Sequence, residues 1–249
     1  MPRPWWAGAG KGEMRTMTQT LSLHDITKDF GGAPVLAGIS LNIQPGELVA
    51  VMGPSGSGKS TLLHCMSGVL RPSDGTVSFG DTQLSALGDS ARSRLRLENF
   101  GFVFQDGQLL PELSNMDNVA LPALLCGARR SVARKKAMRL LDQLGLGELA
   151  ERRPAEVSGG QAQRVAIARA LAANPAIVFA DEPTGALDQS TGHEVMQLLT
   201  TVVRQSGASM VMVTHDPKVA DWMERRVEIR DGIIHDDRRL NAEARGGQR

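Results

Sequence analysis

Tyrosine is absent from this 249-residue chain, and cysteine, tryptophan and phenylalanine number only two, three and six. Two cysteines, Cys65 and Cys126, are too few for a disulfide framework, and both sit in helix-like contexts. They read as reduced, structural thiols of a cytoplasmic protein. Long apolar runs are missing too. Runs such as Ile177–Ala180 and Met210–Val213 fall far short of the ~18 residues a bilayer span needs. If the protein works at a membrane, another polypeptide crosses it. Charge of one sign is also lacking: Lys plus Arg is 28 and Asp plus Glu 27, a formal net of +1. That balance argues against nucleic-acid binding through a broad basic surface. What remains is an ordinary globular composition, 41% hydrophobic and 22% charged. The length suits one large α/β domain, with or without a helical insertion.

Residues 1–17, with Trp5-Trp6 and several glycines, have no apolar core of signal-peptide length and read as a flexible leader, with Met14 or Met17 as alternative starts. Strand signals follow at 21–26, 35–43, 48–52, 75–79 and 100–104, and a helix at 61–69. From about Leu109 to Pro154 strand signals vanish, and Val132, Met138, Leu140, Leu141 and Leu144 show helical spacing. This stretch reads as a helical insertion, about 109–157. Alternation resumes with a strand at 176–180, a helix at 192–203, a strand at 210–214, and a hairpin at 226–234 turned by Asp231-Gly232. The polar stretch 237–249 reads as a mobile tail.

Gly53-Pro54-Ser55-Gly56-Ser57-Gly58-Lys59-Ser60 lies directly after a strand and before a helix. Such a glycine-rich loop lets backbone N–H groups wrap phosphates, with a helix N-terminus adding a favourable dipole. Lys59 supplies a point charge for the β and γ phosphates, and the Ser60 hydroxyl can ligate Mg²⁺. Nucleotide binding follows; kinases, GTPases and transport ATPases remain open at this point.

The apolar run Ala176–Ala180 ends in Asp181-Glu182. Two acids cannot sit cheaply inside a buried strand, so its carboxyl end faces a site. Asp181 is placed to hold Mg²⁺, directly or through water, and Glu182 to polarise an attacking water. His215 follows another apolar strand, and Gln105 a third, where its amide can report on Mg²⁺ and water. His24, His64, His193 and His235 read as structural or surface histidines.

Ser158-Gly159-Gly160-Gln161-Ala162-Gln163-Arg164 resembles the signature motif of ABC ATPases, and the helix 165–172 follows as in that family. The resemblance runs from about Leu21 to Asp236, in the family's order: Phe30, the P-loop, Gln105, the signature, Asp181-Glu182, Ala186-Leu187-Asp188, then His215. It implies an α/β fold with a P-loop NTPase core of ABC type, an N-terminal antiparallel β subdomain and an inserted α-helical subdomain, over 18–236. Contacts to ATP are implied for Phe30, the loop Gly53–Ser60, Thr61, Gln105, Ser158, Gly159, Gly160, Gln161 and Asp188. Metal contacts are implied for Ser60, Gln105 and Asp181, and catalysis for Glu182 and His215. A head-to-tail dimer with a second copy is also implied. Ser158-Gly159-Gly160 is itself a glycine-loaded helix start suited to grip phosphate. Phe30 stands where the family often has Tyr, Ala186 where the subgroup often has Asn, and Ala162 where Gln is frequent.

Asp181–Asp188 and Val103–Pro111 are most similar to the group serving lipoprotein release and macrolide or peptide export, which includes the cell-division ATPase. A motor on the cytoplasmic face of the membrane, driving a transmembrane permease, is therefore expected, with a membrane-signalling or cell-division ATPase as the alternative. A DNA-repair or translation protein fits less well, since the chain has one cassette and a modest insertion. The apolar run Leu109, Leu110, Leu113, Val119, Leu121, Leu124, Leu125 reads either as a groove for a short permease helix or as a buried helix of the insertion.

Overall fold

The computed structural model describes residues 19–240, which divide into two compact units: 97–208, and 19–96 with 209–240. The expected leader lies outside the described residues, as does most of the expected tail.

In the unit of 19–96 and 209–240, β1 (Leu21–Lys28) pairs antiparallel with β2 (Leu36–Ile43) and with β4 (Asp74–Phe79), which carries the short β5 (Thr82–Gln83). The inward residues Leu21, Leu23, Ile26, Ile39, Leu41 and Ile43 are buried while their neighbours face out, as one-sided strands require. The same unit contains β3 (Leu48–Met52), flanked in parallel by β8 (Ser209–Val213) and β9 (Arg225–Arg230), with β10 (Ile233–Arg239) antiparallel at the edge. Every residue of β3 and β8 is buried, which explains the unbroken apolar runs Leu48–Met52 and Met210–Val213. Asp231 and Gly232 turn β9 into β10 with φ of 49° and 75°, the paired left-handed conformation that a two-residue hairpin needs.

β10 runs to Arg239, into the stretch expected to be tail. The reason is electrostatic: Arg225 on β9 forks onto both oxygens of Asp237 at 2.6 Å and reaches Glu47 at 3.2 Å. α1 (Lys59–Met66) follows β3, α2 (Asp89–Asn99) precedes β6, and α7 (Pro217–Ala220) follows β8.

In the unit of 97–208, β6 (Phe100–Phe104) and β7 (Ile177–Asp181) run parallel, with Phe104 opposite Asp181. Phe179 meets Phe100 edge-on, with ring centroids 5.2 Å apart, and stacks with Phe102 at 5.7 Å. The insertion holds α3 (Asn115–Leu125) and α4 (Arg130–Gln143); α5 (Gly159–Leu171) and α6 (Gln189–Ser206) complete the unit. α3 starts at a Ser114 cap and buries Met116, Val119, Ala120 and Ala123; of the apolar run only Val119 is buried, and Leu109, Leu113, Leu121 and Leu124 are half-buried. Leu110 and Leu125 stay exposed. Fully buried Asn118 ties the preceding loop to this helix: its Oδ1 accepts from the Leu110 N–H at 2.8 Å, and its Nδ2 donates to the Leu110 carbonyl at 3.0 Å. Arg134 of α4 clamps α3 by pairing with Asp117.

Candidate nucleotide and catalytic site

The loop Gly53–Gly58 leaves the carboxyl end of β3 and is shaped by what it cannot accommodate. A Cβ on Gly53 would stand 2.1 Å from the Ile229 carbonyl oxygen; one on Gly58 would stand 2.7 Å from that of Val35. Gly58 also has φ of 95° as the cap of α1, a region open chiefly to glycine. The backbone thus turns sharply into the helix with its N–H groups at the loop. Lys59, the first helical residue, is buried, and its ammonium donates to the Pro54 carbonyl at 2.8 Å, across the loop mouth. Ser57 is 4% exposed, and its hydroxyl has no hydrogen-bond partner. An orphaned buried hydroxyl beside an ammonium inside a glycine cradle is what a phosphate oxygen satisfies. Pro54, Ser55, Gly56 and Ser60 are exposed, and Thr61 is half-buried.

His215 belongs to this same unit. β8 runs parallel to β3 with Val51 opposite Val213, and the Thr214 N–H donates to the Val51 carbonyl at 3.2 Å. The exposed His215 therefore leaves its strand at the same edge as the P-loop. Phe30, 64% exposed, lies in the β1–β2 connection, with the Lys28 ammonium 5.1 Å from its ring centroid. Val35, at the end of that connection, is the residue whose carbonyl abuts Gly58.

The other unit gathers the acids and the signature. Because Phe104 faces Asp181 across β6 and β7, Gln105 and Glu182 emerge side by side at the carboxyl edge. A Cβ on Gly185 would lie 2.9 Å from Gln105 Nε2, so the Gln105 side chain lies along the turn after Glu182. Glu182 itself has φ of 48°, and its carbonyl accepts from the Gly185 N–H at 2.9 Å. An L-residue bearing a long side chain rarely holds this conformation, and such strain gathers at functional positions. Asp181 and Glu182 are both half-buried.

Ser158 caps α5 and forms a reciprocal box with Gln161: Ser158 Oγ accepts from the Gln161 N–H at 3.3 Å, and Gln161 Oε1 accepts from the Ser158 N–H at 2.9 Å. Ser158 and Gly159 are exposed; Gly160 is buried so closely that a Cβ would lie 2.5 Å from Thr191 Cγ2. The start of α5 thus rests on the start of α6. Asp188 caps α6, its Oδ1 accepting from the N–H groups of Ser190 and Thr191 and from the Ser190 hydroxyl. The Ser190 and Thr191 hydrogen bonds hold the Asp188 carboxyl far below the usual carboxylate range. Its Oδ1 is therefore engaged in holding α6.

Gln163 is a residue that sequence reasoning left without a role. It is 3% exposed and binds backbone on both β6 and the turn after β7. Its only sequence signal was its place in the signature. Among the described residues, no group of three or more His, Cys, Asp and Glu side chains could hold a metal alone. Mg²⁺ bound chiefly by phosphate and water needs no such group. Also among the described residues, no helix is long and apolar enough to cross a membrane.

The ABC transporter family model matches residues 36–185. The chain is 45% identical over 222 residues to the lipoprotein-releasing system ATP-binding protein LolD of Geobacter metallireducens, covering 88% of this chain and 99% of that one. It is 48% identical over 221 residues to the macrolide export ATP-binding/permease protein MacB of Marinobacter nauticus, covering 87% of this chain but 34% of that longer protein. A bacterial ABC transporter cassette solved as a dimer shares 40% identity with a TM-score of 0.81, over 89% of this chain and 99% of its own. A dimeric cassette in a post-hydrolysis state with ADP and Pi shares 39% at the same TM-score, with the same coverage. The chain belongs to the ABC transporter family and is one of its ATPase cassettes.

Proposed function

We propose that this chain is the ATP-driven motor of a membrane exporter, paired head-to-tail with a second copy and acting on a separate permease from the cytoplasmic face. The observation that carries the reading is the presence of two glycine-loaded helix starts, Gly58–Lys59 and Ser158–Gly160, each in its own unit. In this reading the first receives the chain's own ATP and the second grips the ATP of its partner. Lys59 and the loop N–H groups hold the phosphates, and Phe30 stacks on adenine. Ser60, Gln105 and Asp181 serve Mg²⁺, which neutralises phosphate charge when bound. Glu182 accepts the proton of the attacking water, and His215 contacts the reacting phosphate edge. Exposed Leu110 and Leu125 leave an apolar surface on the insertion for a permease helix. The lipoprotein-release and macrolide-export relatives favour transport over a signalling or cell-division role.

Mixing mutant subunits tests the composite site. Lys59→Ala chains lack the cradle cation, and Ser158→Arg chains lack the signature grip; each is expected to be inactive alone. Their heterodimer contains one site built from two sound halves, so ATPase activity should partly return on mixing. Full activity of either variant by itself as a monomer would leave an ordinary P-loop ATPase.

A further inference from the structure

The signature helix does more than present Ser158. Inside the fold, Gln163 Nε2 donates to the Phe104 carbonyl at 2.9 Å and to the Pro183 carbonyl at 2.6 Å. One primary amide carries two hydrogens, and both are used. Phe104 immediately precedes Gln105, and Pro183 immediately follows Glu182. Farther along α5, the Arg169 guanidinium donates to the carbonyls of Gly107 at 2.7 Å and Gln108 at 2.5 Å. The backbone on both sides of the Gln105–Glu182 edge is therefore fastened to one helix, whose N-terminus is the signature.

Those fastenings bear on a strained residue. Glu182 holds φ of 48°, which persists only where the surroundings fix it. A hydrogen bond to the carbonyl of the very next residue is such a constraint, and at 3% exposure no water competes for it.

We propose that Gln163 is a positioning residue that couples the signature end of α5 to Gln105 and Glu182 of the same chain. The inference rests on the reading of those two residues as turnover groups and of Ser158 as the grip on the partner's nucleotide. A shift of α5 on engaging phosphate then moves the ends of β6 and β7 together, and hydrolysis in one site depends on occupancy of the other.

The test compares the basal ATPase of the full chain with Gln163→Met, which keeps length and loses both donors, and Gln163→Asn, which can reach one carbonyl at most. Misplacing a catalytic group by an ångström costs about 10²-fold. Gln163→Met should lower kcat roughly 10- to 100-fold and leave the KM for ATP within about two-fold, since the P-loop is untouched. Gln163→Asn should fall between Met and wild type. A merely structural role would lower the melting temperature and the yield of folded protein without this split or this grading. If Gln163→Met fails to fold, the Asn variant decides, with Arg169→Met as a second probe of the same fastening. Unchanged kcat in the folded variants overturns the inference. Glu182→Gln run in parallel separates the causes: if it too leaves kcat unchanged, the underlying reading has failed; if it slows turnover while Gln163→Met does not, only the coupling is wrong.

Discussion

The phosphate loop and the acid edge belong to different units and are built from different materials. Around Gly53–Lys59 the geometry is set by backbone shape, with two glycines whose Cβ atoms would strike carbonyl oxygens. Around Gln105, Asp181 and Glu182 it is set by side chains: Gln163, Arg169, Ser158 and Asp188 all hold main-chain groups. The first arrangement suits a ligand that must be enclosed on all sides. The second ties separate segments to one helix, α5. Binding through Lys59 and turnover through Glu182 should therefore separate when these single residues are changed.

The largest effect breaks the comparison if it goes the wrong way. Lys59→Ala should lose ATP binding outright. Glu182→Gln should keep it while hydrolysis falls about 10²-fold or more. In ATP the Glu182→Gln protein should accumulate as a dimer, read by size-exclusion chromatography. If Glu182→Gln lost binding, or Lys59→Ala kept it, the division of labour between the units would be wrong.

Asn118→Ala probes the side-chain-built unit away from the chemistry. It takes two hydrogen bonds from the part-buried Leu110 backbone and leaves a void at a fully buried position, at a cost on the order of 3 kcal/mol. Thermal unfolding should shift down by roughly 6–12 °C, while the ATP affinity of the folded fraction stays the same. Phe30→Ala probes the other unit more gently. Losing a base–aromatic contact should weaken ATP binding about five-fold or more, and Phe30→Trp should largely preserve it. Unchanged affinity in folded Phe30→Ala would remove this ring from the site.

The smallest effect concerns the two thiols. Burial pushes the Cys65 thiol up to about 11 from 9.0, with the Lys28 charge pulling weakly the other way, whereas Cys126 is exposed. At pH 8, maleimide should label one thiol in the native chain and two after denaturation. Because the folded value of Cys65 lies above the unfolded one, its contribution to stability is complete below pH 9.0 and is lost as pH rises through about 11. Native labelling of both thiols would show that the helix after the P-loop opens readily.

Much of this was legible in sequence, for reasons specific to each element. β3 and β6 run over 48–52 and 100–104 as read, because strands of continuous apolar residues flanked by breakers announce themselves. α2 left no signal: its buried residue in mid-helix is Arg92, not an apolar side chain, so no hydrophobic stripe exists. α3 falls within the stretch read as a helical insertion, but its bounds were not legible, since Pro122 within it argues locally against a helix. α5 begins at Gly159, ahead of the apolar residues from Val165 that suggested it; the Ser158–Gln161 box was the available signal. The candidate site residues were named by motif, but the fastening of Gln105 and Glu182 to Gln163 arises from tertiary contacts between segments 20 and 59 residues apart.

The left-handed backbone at Glu182 has a consequence for the history of the chain. Glycine would occupy that position without strain, sparing the fold roughly 1–3 kcal/mol. If Glu182 has the role proposed for it, the residue best for endurance and the residue best for turnover are different amino acids at one position. Selection for persistence alone would drift toward a sturdier protein that holds ATP and does nothing with it.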